Sequence, residues 1–274
     1  MYTTYWKLNV RPFDSSFDRR FYYPSEAHQA TLLKLRYAIE NRRGAALLAG
    51  ASGLGKTLLV HALHEDLPEA YGPLVHVRFS QMAPTELLSF LADSLTGETS
   101  GEAAVNLSVQ RIEQALAKNV ESHRHAVVVI DEAQLLRDTG GLETVRLLLN
   151  FEAAWTLLLV AQPAILPALE RMPELEERLS VKCLLRRFTL EETVSYIHHR
   201  MLAASTIDTP AIFEPTSLET IHRLTDGIPR RINRLCDLCL LIGYAEDLPQ
   251  ITPTHVAAVA EELATTVGSV RHAA

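Results

Sequence analysis

Residues 50 to 57 read Gly50-Ala51-Ser52-Gly53-Leu54-Gly55-Lys56-Thr57. The spacing G-x-x-x-x-G-K-T is that of a phosphate-binding loop. In such a loop successive backbone N–H groups surround a phosphate, and the N-terminus of the following helix points at it. Lys56 would reach the β- and γ-oxygens of a nucleotide, and the Thr57 hydroxyl would ligate Mg²⁺. Leu58, the next residue, closes the set expected around the nucleotide. The loop is preceded by the apolar run Ala45-Ala-Leu-Leu-Ala49 and followed by the amphipathic Leu58-Leu-Val-His-Ala-Leu63, a strand and a helix in the order the loop needs.

A second apolar run, Ala126-Val-Val-Val-Ile130, ends in Asp131-Glu132-Ala133-Gln134. Taken alone, such a run is a strand end with two solvated carboxylates. Downstream of a phosphate loop it has the form of the acid pair that phosphoryl transfer to water requires. Asp131 would hold Mg²⁺ through its water shell, and Glu132 would orient and deprotonate the attacking water. ATP and Mg²⁺ are therefore the expected ligands, and the parts present serve hydrolysis as well as binding.

These groups need a scaffold. Apolar strands are predicted at 45–49, 74–79, 126–130, 156–161 and 181–185, with helices at 56–66, 84–96, 108–121, 141–151 and 163–170. Strand–helix alternation with wholly apolar strands predicts an α/β fold, a three-layer arrangement with a parallel sheet covered on both faces. From Leu190 the strands stop. Helices at 190–204, 215–225, 228–244 and 252–266, punctuated by Pro210, Pro215, Gly227-Ile-Pro229 and Pro249, predict a small all-helical lid. A further helix over 25–41, with Ser25 as its N-cap, ends the aromatic and turn-rich N-terminal segment. Segment 96–102 reads as a polar loop. The expected boundaries are an N-terminal segment 1–42 contributing to the nucleotide pocket, an ATPase core 43–187, a helical lid 188–267 and a frayed tail 268–274.

At 274 residues the chain can hold one large or two modest lobes. Its 47% hydrophobic and 22% charged residues are those of an ordinary globular protein. A net charge of −7 argues against a surface coated for nucleic acid while leaving room for a local basic patch. The longest apolar runs, 157–161 and 127–130, are strand-sized and too short to span a bilayer. The N-terminus lacks the basic flank and long apolar stretch of a signal peptide. Cytoplasmic residence is expected, with any approach to the inner membrane made through a partner. The 3 cysteines fit a reducing compartment. Cys236 and Cys239 form a CxxC inside a helical apolar pattern with no second ligand pair, which reads as core packing because a zinc site needs about four ligands. The pairs His61/His64 and His198/His199 likewise have no carboxylate or cysteine company at metal spacing and read as surface or packing residues.

Gly227-Ile-Pro229-Arg230-Arg231-Ile232-Asn233 opens a lid helix. Gly-x-Pro can be a plain turn and the arginines a solvated face. Alternatively Arg230 reaches across to the γ-phosphate, the cation that a two-lobed ATPase needs to couple its lobes to nucleotide state.

With these motifs the sequence resembles the AAA+ superfamily and, more narrowly, the general secretion pathway protein A group of ExeA-type ATPases. The resemblance runs through Pro12-Phe13, Phe21-Tyr22-Tyr23-Pro24-Ser25 and His28, the phosphate loop, Ile130-Asp-Glu-Ala-Gln134, Leu147-Leu-Leu-Asn-Phe-Glu152, Ala161-Gln-Pro163 and the segment Gly227 to Cys236. Transposition regulators of the TniB/TnsC type share much of this pattern. The resemblance implies that Gln162 is the polar sensor at the end of the fourth strand, hydrogen-bonding the lytic water or the γ-phosphate; an amide merely ending a strand is the alternative. It implies that Arg178 is a trans-acting finger supplied to a neighbouring subunit of a homo-oligomer with sites at subunit interfaces. The alternative is an i,i+4 partner of Glu174. Lys182 is a weaker substitute. Phe13, Phe21 and Tyr22 would line the adenine pocket or else belong to the core. Proteins of the group that span the inner membrane carry a transmembrane helix and a peptidoglycan-binding part after the ATPase; this chain is expected to lack both and to act through a protein partner.

Two function classes follow. One is an energy-transducing ATPase of a secretion, pilus or export assembly. The other is a DNA-binding ATPase of transposition or replication loading, which needs basic residues converging on one face. Arg42, Arg43, Arg186, Arg187, Arg223, Arg231 and Arg234 are the candidates, and they are scattered along the chain, so DNA is not favoured. A nucleotide switch that barely hydrolyses ATP is disfavoured by the intact Glu132.

Overall fold

The structure, a computed structural model, describes residues 1–14, 18–99, 104–151, 154–205 and 211–271, with side chains to 264. Glu152, Pro210, the end of the polar loop (100–102) and the tail end 272–274 lie outside the described residues.

In chain order the elements are α1 (Tyr2–Tyr5), α2 (Glu26–Glu40), β1 (Ala45–Ala49), α3 (Lys56–Asp66), β2 (Leu74–Val77), α4 (Pro84–Thr96), α5 (Val105–Glu121), β3 (Ala126–Ile130), α6 (Gly141–Leu148) and β4 (Trp155–Ala161). They continue with α7 (Leu166–Glu170), α8 (Pro173–Glu176), β5 (Leu179–Leu184), α9 (Leu190–Ala204), α10 (Pro215–Thr225), α11 (Pro229–Ala245) and α12 (Pro253–Arg271). Short 3₁₀ turns at Ala133–Arg137 and Pro163–Ile165 follow β3 and β4. The chain forms two compact units. One comprises Glu26–Ser52 and Lys56–Leu185, the other Met1–Ser25, Gly53–Gly55 and Arg186–Ala274.

The first unit is built on a five-stranded sheet of order β2-β3-β4-β1-β5, every pair parallel. Every residue of β1, β3 and β4 is buried. Because side chains alternate between sheet faces, burial at every position means that both faces are covered. Trp155, Leu47, Leu48 and Ile130 are among the largest side chains fully withdrawn from solvent. β5 is an edge strand and is only half buried: Leu179 and Cys183 are inside, while Ser180, Lys182 and Leu184 are exposed. Its register against β1 slips at Ser180, where Ala45 pairs Leu179 and Ala46 pairs Val181. Ser180 Oγ donates to the Ala45 carbonyl at 2.9 Å across this bulge. Leu179, Val181 and Cys183 form the inward series, and the strand begins two residues earlier than its sequence predicts.

The second unit is helical and includes the N-terminus. Trp6 Nε1 donates to the Leu240 carbonyl at 2.9 Å, Tyr5 Oη to Leu248 at 2.8 Å, and Tyr2 Oη to Asp237. Arg200, 6% exposed, donates to the carbonyls of Pro12 at 2.5 Å and Asp14 at 2.7 Å and lies 4.7 Å from the centre of the Phe21 ring. A buried guanidinium is tolerable only with its donors satisfied in this way. Tyr2, Trp6, Leu8, Phe13 and Phe21 share one core with Tyr196, Ile197, Leu235, Cys236, Cys239 and Leu240. α9 is fastened by a capping box: Thr189 Oγ1 accepts from the Glu192 N–H at 3.2 Å, and Glu192 Oε2 from the Thr189 N–H at 2.9 Å. The expected N-terminal segment 1–42 is thus divided. Residues 1–25 pack with the helices and α2 packs with the sheet, because the aromatic residues of the first stretch find their apolar partners on α9 and α11. The second boundary falls at 185/186, and α12 continues to Arg271, past the expected helix end at 266.

Candidate active site

In a parallel sheet the crevice for ligands lies beyond the carboxyl ends of the strands, at the point where the strand order reverses. Here the chain leaves β1 for the far edge, returns through β3 and β4, and then places β5 on the other side of β1. Gly50 follows β1, Asp131 follows β3 and Gln162 follows β4. Register fixes their relative heights: Ala49 pairs Ala161, and Ile130 pairs Leu159. The Gly50 N–H donates to the Ala161 carbonyl at 3.1 Å, tying the loop entry to β4.

Lys56 begins α3 and is 6% exposed. Its Nζ donates to the carbonyls of Gly50 at 2.8 Å and Ala51 at 3.2 Å, across the loop that Ala51 and Ser52 continue. Gly53 at φ +84° and Gly55 at φ +90° occupy backbone conformations that only glycine adopts without cost. Gly53, Leu54 and Gly55 group with the helical unit. There the Arg230 N–H donates to the Gly53 carbonyl at 3.2 Å, and a Cβ added to Gly53 would meet Arg230 Cβ at 2.9 Å and Ile228 Cγ2 at 3.1 Å. The Arg230 side chain itself is exposed. Leu58 follows Thr57 in the first turn of α3.

Thr57 Oγ1 donates to Asp131 Oδ2 at 3.3 Å, and the Glu132 N–H donates to Asp131 Oδ1 at 2.9 Å. Burial, the largest influence on Asp131, pushes its carboxyl up; the His76 imidazole, the Glu132 N–H and the Thr57 hydroxyl together outweigh it and hold the group below the ordinary value. Asp131 is therefore a carboxylate at neutral pH. His76 Nε2 lies 3.7 Å from Asp131 Oδ2 and has no hydrogen-bond partner although the atom is buried. Two hard oxygens converging beside an unpartnered imidazole nitrogen fit a hydrated Mg²⁺, whose bound waters would donate to such acceptors.

Glu132 sits at φ +49°, a left-handed backbone uncommon for a side chain of its size. The Ser80 hydroxyl donates to its carbonyl at 3.0 Å. Its carboxylate accepts from Gln134 Nε2 at 2.5 Å and from Gln162 Nε2 at 3.1 Å, while Gln134 Oε1 accepts from the Gln162 N–H at 2.9 Å. Asp131, Glu132 and Gln162, singled out from the sequence, thus stand past the ends of the adjacent strands β3 and β4, and Lys56 and Thr57, likewise singled out, open α3 in the same unit, with Thr57 bonded to Asp131.

Arg178 is exposed just before β5. Its expected alternative partner Glu174 is paired instead with Arg146 at 2.6 Å, and Lys182 is paired with Glu176 at 2.6 Å. Phe13 and Phe21, 3% and 6% exposed, belong to the helical core, with Tyr22 half-buried in the same unit. Cys236 and Cys239 are buried thiols, the latter pushed up to about 12 by burial. No cluster of three or more His, Cys, Asp or Glu able to hold a metal occurs among the described residues. His76 and Gln134 were given no role from sequence. The signal for His76 was faint, a lone histidine in the apolar strand Leu74-Val-His-Val77. Gln134 was visible only as part of the motif around it.

A model of the AAA domain family matches residues 39–169. The chain is 29% identical over 269 residues to general secretion pathway protein A of Aeromonas hydrophila, covering 96% of this chain and 48% of that protein. It thus spans about half the length of this curated relative. Among solved structures, the ORC2 protein of Aeropyrum pernix in its ADPNP–ADP complexes superposes with a TM-score of 0.71 at 18% identity, over 93% of this chain and 72% of that one. Cdc6p of Pyrobaculum aerophilum gives 0.71 at 17%, over 92% and 70%. The Drosophila ORC bound to DNA gives 0.70 at 17%, over 95% and 66%. At such identities these likenesses speak for the fold. No helix among the described residues is long and apolar enough to cross a membrane. The phosphate loop, the acid pair on the next strand but one and the helical C-terminal region agree with these comparisons: residues 39–169 match an AAA domain with the parts for ATP hydrolysis, in a chain that resembles general secretion pathway protein A.

Proposed function

We propose that this ATPase hydrolyses ATP to drive conformational change in a secretion, pilus or export assembly, as a homo-oligomer that works through a protein partner at a membrane. The observation that carries the pathway is the similarity to general secretion pathway protein A along 96% of the chain. In this reading Lys56 exchanges the Gly50 and Ala51 carbonyls for the β- and γ-phosphate oxygens, and the loop N–H groups from Gly50 to Thr57 hold the β-phosphate. Thr57 and Asp131 would hold Mg²⁺, which when bound would supply positive charge to the phosphates. Glu132 takes the proton of the attacking water, and Gln162 orients that water or the γ-phosphate. Arg230, whose N–H donates to the Gly53 carbonyl, senses the nucleotide held by that loop, and Arg178 completes the site of a neighbouring subunit.

A second reading, a DNA-acting ATPase, is favoured by the likeness to the ORC bound to DNA. Against it, Arg186 is paired with Glu192 and Arg187 with Asp226, which leaves these two less disposed to phosphate. Duplex binding is to be measured across a salt series with a non-hydrolysable ATP analogue, at protein concentrations where assembly is seen. The expected result is a dissociation constant no tighter than the non-specific range of about 10⁻⁴ to 10⁻⁶ M at physiological salt. Tight, salt-sensitive binding that appears only with nucleotide would replace the first reading by the second.

A further inference from the structure

Gln134 has no part in the reading above, yet it joins the ends of β3 and β4. It is two residues past Glu132 on the 3₁₀ turn Ala133–Arg137. Its Nε2 donates to Glu132 Oε2, and its Oε1 accepts from the backbone N–H of Gln162. Chemistry fixes which way this amide faces. A carboxylate only accepts and a backbone N–H only donates, so each needs the opposite end of the amide. A carboxylate, a thioether or an alkyl chain at position 134 can satisfy at most one of the two.

The bridge also discriminates between the two oxygens of Glu132. Gln134 and Gln162 both donate to Oε2, and Oε1 takes neither of these bonds. An oxygen that already accepts two N–H groups is the poorer proton acceptor of the pair, since its lone pairs are engaged. Oε1 is then the oxygen available to a water.

We propose that Gln134 is a positioning residue for hydrolysis: it holds Glu132 Oε2 so that Oε1 faces the attacking water, and it locks that aim to the β4 end where Gln162 stands. The proposal rests on Glu132 being the base. It follows that Gln134 governs turnover and leaves nucleotide affinity alone, because it touches neither the phosphate loop lysine nor the Thr57–Asp131 pair.

Gln134→Met keeps the length of the side chain and removes both polar ends; Gln134→Ala serves as the second variant should the first be poorly folded. Turnover, KM and the affinity for a fluorescent ATP analogue are measured for each, in the wild-type and Glu132→Gln backgrounds, together with the crystal structure of nucleotide-free Gln134→Met. A displacement of the base by about 1 Å costs up to roughly a hundredfold in rate. The expected result is therefore a tenfold to hundredfold fall in kcat, with KM and analogue affinity within about twofold of wild type. The Glu132 carboxylate should have turned away from Gln162 in the apo crystal. In the Glu132→Gln background Gln134→Met should lower the residual turnover no further, since the two residues act as one unit. A Gln134→Met enzyme with wild-type kcat beside an inactive Glu132→Gln enzyme would remove the role of Gln134 alone. The same fold-loss in both backgrounds would do so as well. Near-normal hydrolysis by Glu132→Gln would remove the base and its positioning residue together.

Discussion

Replacing Glu132 by glutamine tests the chemistry at the centre of the site. Glutamine has the same shape, and its amide oxygen can take the place of Oε2, so both donors, Gln134 Nε2 and Gln162 Nε2, keep an acceptor. The amide nitrogen falls where Oε1 stood and cannot accept a proton. Loss of a positioned general base costs about 10²- to 10⁴-fold, or about 3 to 5 kcal/mol of barrier. Stability should change far less. Two hydrogen bonds to a charged acceptor become two to a neutral one, a loss of about 1 to 2 kcal/mol in total. The backbone at φ +49° is no more costly for glutamine than for glutamate. Phosphate release under saturating ATP, affinity for a fluorescent ATP analogue and urea unfolding together check the argument. The expected pattern is turnover down by at least about a hundredfold, affinity retained, and a small shift in the unfolding midpoint. Hydrolysis within a few-fold of wild type would refute the assignment of the base.

Lys56→Ala should abolish nucleotide binding and hydrolysis. Because this lysine is buried and bonded to the Gly50 and Ala51 carbonyls, the variant should also be less stable by about 1 to 3 kcal/mol, read from urea unfolding. Gly53→Ala should lose nucleotide affinity, because φ +84° and the 2.9 Å approach to Arg230 Cβ force the loop tip to move; calorimetric titration with ATP checks this, and unchanged affinity would contradict it. Arg178→Ala should lose hydrolysis more than binding, and mixing it with Lys56→Ala in assembled samples should restore some activity if the arginine acts in trans. In native protein Cys236 and Cys239 should resist iodoacetamide up to pH 9, since burial holds both thiols protonated, the latter up to about 12; mass spectrometry showing prompt labelling would contradict the core placement.

The sheet was legible where burial was complete. β1 and β3 are unbroken aliphatic runs and begin and end where the sequence places them, because a strand covered on both faces leaves no polar residue to blur it. β5 was less so, since an edge strand alternates between buried and exposed residues and leaves no unbroken apolar run, and its pairing with β1 shifts at Ser180. The positions of Asp131, Glu132 and Gln162 were legible because each directly follows an apolar run that ends at the sheet edge, and those of Lys56 and Thr57 because the loop spacing sets the start of α3. The bridge through Gln134 was not, because it depends on the β3–β4 register, which no single segment encodes. Phe13 and Phe21 were visible as aromatic residues, but the core they share with α9 and α11 lies more than a hundred residues away, so the sequence left their environment undetermined.

That distance bears on how the chain is made. Synthesis is vectorial, and the residues Tyr2, Trp6, Leu8 and Phe13 leave the ribosome before the sheet unit, whereas Asp237 and Leu240, which receive Tyr2 and Trp6, leave after it. Closing a loop of this size costs about 5 kcal/mol in chain entropy, and nothing offsets it until α11 exists. The sheet unit, contiguous from α2 to β5 apart from three loop residues, can fold while these aromatic side chains are still exposed. During that interval the nascent protein carries a sticky apolar leader ahead of a finished domain, a natural client for a holding chaperone. A truncation that begins the chain at α2 would leave the opposite defect, a helical unit permanently missing part of its core.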